Sequence, residues 1–178
     1  MMILMVPTLL MLIQLNLHYG LRPLRVGEQA LVKVKFREAS TLDGSPAVVL
    51  KVPDSLKLET LGVRIPELRE ICWRVRGVQP GRSELTVGEG PSAVVKQVAV
   101  AGRLEGVSSL RTGQDWMESL LYPGEAPIPR ESVVESIEIQ YPELDITVLG
   151  WRMNWLILFL VFSLGFGYAS KGLLGVQI

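Results

Sequence analysis

The chain has 178 residues, which is enough for one modest domain with additional segments. It carries 18 Lys and Arg against 18 Asp and Glu, so its net charge favours neither nucleic acid nor another strongly charged partner. One Cys excludes an internal disulfide and a Cys-based zinc site, and one His weakens any His-based metal site or catalytic triad. Hydrophobic residues make up 48% of the chain and are concentrated at its two ends.

The first apolar run, Met1 to Leu17, contains no charged residue. It predicts a transmembrane helix, or an uncleaved signal anchor, over residues 1–19, with His18 capping the end of the span. A cleaved signal peptide and a peripheral helix remain alternatives, although no Lys or Arg precedes the run and no small-residue cleavage site follows it. Because this basic leader is missing, Met1 is also a candidate internal start of a longer natural chain.

Residues 24–101 have the pattern of short antiparallel strands. In "ALVKVKF", Val32, Val34 and Phe36 alternate with basic residues, and "EICWRVRG" alternates in the same way. "VQPGRSELTVG" supplies a Pro-Gly turn and another strand, and "SAVVKQVAVAG" supplies the last. About six or seven strands with turn signals every 8–12 residues or so predict an all-β sandwich.

The stretch "RVGEQALVKVKF … VRIPELREICWRVRGVQPGRSELTV" resembles the immunoglobulin-like domains of bacterial surface and periplasmic proteins. In those domains a strand carrying a buried Trp is followed by a Pro-Gly turn and the next strand. The resemblance covers residues 22–101 and implies a binding or spacer module without catalytic residues. Cys72 lies beside Trp73 but has no second Cys, so the inter-sheet disulfide of antibody domains is absent. The whole arrangement, with "VLGWRMNWL" and "GVQI", also resembles bacterial multi-pass membrane proteins of no assigned activity.

Residues 102–150 predict an acidic, Pro-containing connector with short strands. Pro123, Pro127 and Pro129 block a long helix, and "ESIEIQYPELDITVLG" alternates as one broken strand or two short ones. This strand segment could add to the edge of the sandwich or form a stalk. Residues 20–103 hold 14 basic and 9 acidic residues, whereas residues 104–149 hold 2 and 9. The acidic segment is therefore expected to pack on the basic strands. The alternative is that both surfaces are simply solvated.

The C-terminal run predicts a second transmembrane helix over residues 151–171, followed by a short tail at 172–178. Met153 to Ser170 carries no charge and would extend about 27 Å as a helix. Aromatic and basic residues near its ends are the expected interface anchors: Trp151, Arg152, Trp155, Tyr168 and Lys171. Small residues four apart predict a helix-packing face made of Ser163, Gly165, Gly167 and Ala169.

Residues that could carry chemistry do not form a recognisable site. The carboxylate pairs Asp115/Glu118 and Glu135/Glu138 arise by chance in an acidic segment, and Cys72 is expected to be a packing or idle thiol. "GEGPS" at 88–92 lacks the Lys-Ser/Thr ending of a phosphate loop. We therefore expect no catalytic, cofactor-binding or metal-binding residues, no enzyme activity and no nucleic-acid partner.

The fold class predicted is mainly β: an immunoglobulin-like antiparallel β-sandwich flanked by an N-terminal and a C-terminal transmembrane helix. The predicted function is a membrane-anchored structural or interaction protein in a bacterial inner membrane, with residues 20–150 outside the cytoplasm. Its expected partners are the lipid bilayer and either a membrane protein or a second copy bound through the C-terminal helix. The alternative is the C-terminal fragment of a larger multi-pass membrane enzyme, transporter or insertase-like protein whose active residues precede Met1.

Overall fold

The computed structural model describes residues 10–16, 20–38, 48–90, 93–103, 105–113, 121–122, 124–148 and 151–174. The chain is mainly β and divides into two compact units, Met1–Pro142 and Glu143–Ile178. In the first unit, a helical segment, α1, at residues 10–16 precedes the strands. The described strands of this unit are β1 (Gln29–Phe36), β2 (Leu50–Lys51), β3 (Leu56–Leu58), β4 (Val63–Ile65), β5 (Glu70–Gly77), β6 (Gly81–Val87), β7 (Val94–Val100), β8 (Leu110–Thr112) and β9 (Val134–Ile139).

The strands of the first unit form two antiparallel sheets. The larger sheet has the order β3-β5-β1-β9-β8, and β4 also pairs with β5. The smaller sheet has the order β2-β6-β7. A parallel bridge from Leu24 to Val100 ties the chain before β1 to the end of β7.

One hydrophobic core contains residues of both sheets. Val32 pairs with Trp73 and Val34 with Ile71 across β1 and β5, and all four side chains are buried. Leu85, on β6 of the smaller sheet, belongs to the same core. The alternation of buried and partly exposed residues along β1 and β5 is the one that the sequence predicts, because successive side chains of a strand point to opposite faces.

The acidic segment contributes two strands to the larger sheet. Strand β9 pairs with β1, placing Ile137 opposite Val34, and β8 pairs with β9. Ion pairs between residues 104–149 and residues 20–103 accompany this pairing among the described side chains: Lys33–Glu138, Lys35–Glu135, Arg69–Glu135, Arg82–Glu105 and Lys96–Glu125. The structure thus contains the contacts between acidic segment and basic strands that the charge distribution predicts.

The second unit consists of a hairpin and a helix. Strand β10 (Asp145–Val148) pairs with β11 (Trp151–Asn154), and helix α2 (Trp155–Leu174) follows directly. The sequence placed the helix start near residue 151. Instead, Trp151 and Arg152 lie opposite Val148 and Thr147 in the hairpin, so these two expected anchors belong to a strand.

The prediction of a transmembrane helix at each end is wrong. A helix that crosses the hydrocarbon layer, about 30 Å thick, needs about 20 predominantly apolar residues. Over the described ranges of the chain, no helix combines the length and the apolarity that crossing a bilayer requires. The expected location of residues 20–150 stays a prediction.

Candidate functional site

Lys96 is a fully buried cation in the first unit. It lies on β7 between Val94 and Val98, and all three side chains point into the unit because they share the parity of the strand. The Lys96 ammonium donates hydrogen bonds to the carbonyl oxygen of Ser108 (2.6 Å), to the Ser108 hydroxyl (3.1 Å) and to the carboxylate of Glu125. All three of its protons are therefore engaged.

Glu125 completes a closed network around this lysine. One carboxylate oxygen accepts from Lys96, and the other accepts from the backbone N–H of Gln97 at 3.0 Å. Arg111 donates two further hydrogen bonds in the same region, from Nε to the Ala126 carbonyl at 2.8 Å and from Nη1 to the Val95 carbonyl. The segment around residues 124–126 is thereby fastened along β7.

The chemistry of this network is structural. Burial lowers the pKa of Lys96, while the hydrogen bond and the charge of Glu125 oppose that change. A catalytic lysine needs a lone pair and access to a substrate, whereas Lys96 is fully enclosed and has three acceptors. We therefore interpret the Lys96–Glu125 pair as a structural ion pair that holds the acidic segment against β7.

A small cavity of about 140 Å³ adjoins this network. Its lining comes from β6, β7, the loop before β8, the segment between β8 and β9, and the end of the unit: Arg82, Gln97, Val98, Ala99, Gly106, Val107, Ser108, Gly124 and Tyr141. The Tyr141 hydroxyl accepts a hydrogen bond from the backbone N–H of Ala99 at 3.1 Å. Burial raises the pKa of Tyr141 to about 12, so the phenol is protonated at neutral pH.

Arg82 supplies the positive charge beside the cavity. It lies on β6, and its guanidinium is 3.3 Å from the Glu105 carboxylate, with both side chains about half exposed. An exposed ion pair of this kind is weak, because water solvates both partners and competes for their hydrogen bonds. The cavity therefore combines a buried phenol, an apolar wall and an accessible guanidinium.

The second unit carries a different surface, the exposed apolar side chains of α2. Eight of its large apolar residues are between 48% and 83% exposed: Ile157, Phe159, Leu160, Val161, Phe162, Leu164, Phe166 and Tyr168. Residues 159–162 are consecutive, and a helix turns by about 100° per residue, so these side chains point in every direction around the axis. A helix that is apolar on all sides is normally enclosed by other apolar groups.

The predicted helix-packing face lies on this helix. Ser163 and Gly165 are exposed, and apart from the adjacent residues and backbone of its own helix, no described atom lies within 4 Å of the position that a Cβ on Gly165 would occupy. The side chains of Ala169 and Lys171, and the environment of Gly167, are outside the described residues. Of the expected anchors on α2, Trp155 is partly buried and stacks in a tilted geometry on Phe159, whereas Tyr168 is exposed.

The other residues considered for chemistry are accounted for by packing or pairing. Glu135 and Glu138 are partners of Lys35 and Lys33 in the larger sheet, and burial raises the pKa of the Cys72 thiol, which keeps it protonated. His18, Asp115 and Glu118 lie outside the described residues. Within the described part of the chain, no three side chains capable of ligating a metal lie together.

Comparisons of the chain with protein-family models, with curated proteins and with solved structures each find no match. The interpretation of its function therefore rests on the two features described above, the cavity and the surface of α2.

Sequence reasoning missed Lys96, Glu125 and the cavity. The alternation in "VVKQV" could have indicated that Lys96 points into the core, because it occupies the same strand face as Val94 and Val98. Nothing local indicates Glu125, which lies 29 residues further along the chain. The cavity brings together five separate stretches of the sequence, so only the tertiary structure shows it.

Proposed function

We propose that this protein is a non-catalytic interaction protein that self-associates through α2, with the β-sandwich unit as its folded module. The observation that carries this proposal is the exposure of eight large apolar side chains around one helix. Contiguous exposed apolar surface of this kind is unusual on a monomer and is typical of interaction sites.

The composition of α2 supports a second copy of the same helix as its partner. Between Trp155 and Tyr168 the helix has no charged residue, so it offers a partner neither ion pairs nor electrostatic selectivity. Its complement is another apolar surface with small residues that permit close backbone approach. A second α2 provides both, through the side chains around Phe162 and through Ser163 and Gly165.

The first unit supports the non-catalytic part of the proposal. Lys96 and Glu125, whose side chains are 0% and 5% exposed, are used in a closed hydrogen-bond network. Such an arrangement stabilises a module and leaves neither of these two groups free to react. The resemblance to immunoglobulin-like modules agrees with a spacer or binding role and remains part of this proposal.

The proposal is tested by the molar mass of the full chain in a non-ionic detergent, which suppresses non-specific aggregation. Sedimentation equilibrium of the wild type should give a concentration-dependent mass above that of the monomer. Phe162→Glu, at an exposed position on α2, should shift the mass to the monomer. Leu61→Glu is the matched control, because Leu61 is 88% exposed on the first unit and lies apart from α2 in the sequence.

Two outcomes would contradict the proposal. A wild-type mass equal to the monomer at every concentration would exclude self-association. An equal loss of association in Leu61→Glu and Phe162→Glu would show that α2 is not the interface.

A further inference from the structure

The cavity beside Lys96 has the dimensions of a site for a small organic molecule. Its volume is about 140 Å³. A cavity of about 150 Å³ in another protein binds benzene, so this one has room for about six non-hydrogen atoms. Val98 and Val107, both buried, give it an apolar wall.

Tyr141 brings a buried hydrogen-bond donor to this cavity. The residue is only 7% exposed, and its hydroxyl oxygen already accepts the Ala99 N–H. A phenol can accept and donate at the same time, and no acceptor for its proton is found among the described residues. Buried donors are normally paired, and among the described residues of the first unit this proton has no acceptor, so a ligand could supply one.

The charges around the cavity favour an anionic acceptor. Arg82 lines the cavity, and its guanidinium has donors beyond the single contact with Glu105. The nearby negative charge of Glu125 is compensated, because its two oxygens accept from Lys96 and from the Gln97 N–H. A carboxylate entering here would meet a phenol proton and a guanidinium, and the competing Glu105 contact is exposed.

From these contacts we infer that the cavity binds a small aliphatic monocarboxylate, with Tyr141 and Arg82 donating hydrogen bonds to its carboxylate and Val98 and Val107 enclosing its hydrocarbon part. Butyrate, with six non-hydrogen atoms, is the size that fills the volume. This site lies wholly within the first unit, and it is independent of the association of α2.

Isothermal titration calorimetry of the full chain with acetate, propionate, butyrate and inorganic phosphate tests the inference. Butyrate should bind with one-to-one stoichiometry and a dissociation constant on the order of 1 mM, within the range available to six atoms. Affinity should rise about fourfold for each methylene from acetate to butyrate, as the apolar wall is covered. Phosphate should bind more weakly than butyrate, since it has no hydrocarbon part.

Variants separate the site from general electrostatic attraction. Tyr141→Phe and Arg82→Gln should each weaken butyrate binding about tenfold or more, because each removes a donor to the carboxylate. Glu105→Gln should strengthen binding, because it frees the Arg82 guanidinium. Arg74→Gln is the control: it makes the same charge change at an exposed position on β5 and should leave affinity unchanged. Because Arg82 is exposed, Arg82→Gln is informative even if Tyr141→Phe unfolds.

The inference is overturned by no saturable butyrate binding at concentrations about tenfold above the expected dissociation constant. It is equally overturned if Arg74→Gln and Arg82→Gln lose affinity to the same extent, or if phosphate binds more tightly than butyrate. Either of the last two results would indicate attraction to a basic surface and not a fitted cavity.

Discussion

Lys96 on β7 and Glu125 form an ion pair inside the first unit, with side chains that are 0% and 5% exposed. Transferring two charges from water to the protein interior costs free energy. The attraction between the charges offsets this cost only when hydrogen bonds satisfy the remaining donors and acceptors. Ser108 and the Gln97 N–H provide the remaining partners. The pair therefore depends on both of its members being present.

Removing one member should be far more damaging than removing both. Lys96→Met or Glu125→Gln alone should lower the free energy of unfolding by about 3–5 kcal/mol, because the remaining charge stays buried without its partner. The double variant should recover much of that loss. Urea unfolding monitored by Trp fluorescence gives the three values. Lys51→Met, in the exposed Lys51–Glu89 pair, is the control and should change stability by less than about 0.5 kcal/mol. Strictly additive losses in the double variant would contradict the coupling.

The pair Lys35–Glu135 joins β1 to β9 on the partly exposed face of the larger sheet, at 2.9 Å. Reversing either charge should destabilise the unit modestly, and reversing both should restore part of the loss, with a coupling of about 0.5–1 kcal/mol. Recovery stays incomplete because Arg69, 3.8 Å from Glu135, then faces a like charge. A double-mutant cycle at low and at high salt measures the coupling. Its absence at low salt would show that the acidic segment does not gain stability from this contact.

Glu28 should contribute stability that is lost in acid. The Arg22 guanidinium binds both of its oxygens, at 2.7 and 2.8 Å, and lowers the pKa of Glu28 from 4.5 to about 2. A carboxylate with a lowered pKa stabilises the fold above its unfolded pKa and loses this effect as the pH falls through the folded one. Glu28→Gln should therefore cost about 1 kcal/mol at neutral pH, after allowance for solvent screening, and the difference should vanish between pH 4.5 and 2. Glu84→Gln, at an exposed position of β6, is the control for the same change of charge.

Tyr141 should make the first unit sensitive to alkali. Its pKa is raised from 10 to about 12, so the folded state holds the phenol proton more tightly than the unfolded state does. The resulting contribution to the free energy of unfolding is fully present below pH 10 and is lost as the pH rises towards 12. Unfolding free energies measured across this window should fall less steeply for Tyr141→Phe than for the wild type. Tyr168→Phe, an exposed control on α2, should follow the wild type. Parallel curves for all three proteins would contradict the assignment.

The sequence predicted those features of the fold that local periodicity encodes. The buried faces of β1 and β5, including Val32 and Trp73, follow from a period of two in the sequence. In a half-buried strand, apolar side chains facing the core alternate with polar side chains facing solvent. The sequence also predicts a strand that could join the edge of the sandwich, but it does not predict that β9 pairs with β1. The register of this pairing depends on contacts about 100 residues apart in the chain, as between Lys35 and Glu135.

The candidate sites were less accessible to prediction for physical reasons. A lysine in a strand is expected at the surface, and the burial of Lys96 depends on Glu125, which belongs to a segment rich in Pro and without clear periodicity. The lack of charged residues indicated the apolar C-terminal run. It did not indicate the hairpin, in which Trp151 pairs with Val148. Strand pairing is a contact between two segments, and averaging over one segment does not detect it.

The central claim, that α2 is the surface through which copies of this chain associate, is tested most directly by site-specific disulfide cross-linking. Cys72 is the single cysteine, so Cys72→Ser gives a background in which one new thiol can be introduced. Leu160→Cys and Leu61→Cys are both exposed positions, the first on α2 and the second on the first unit. We predict that Leu160→Cys forms a cross-linked dimer on mild oxidation and that Leu61→Cys does not. Equal dimer yields from the two variants, or none from Leu160→Cys, would contradict the claim.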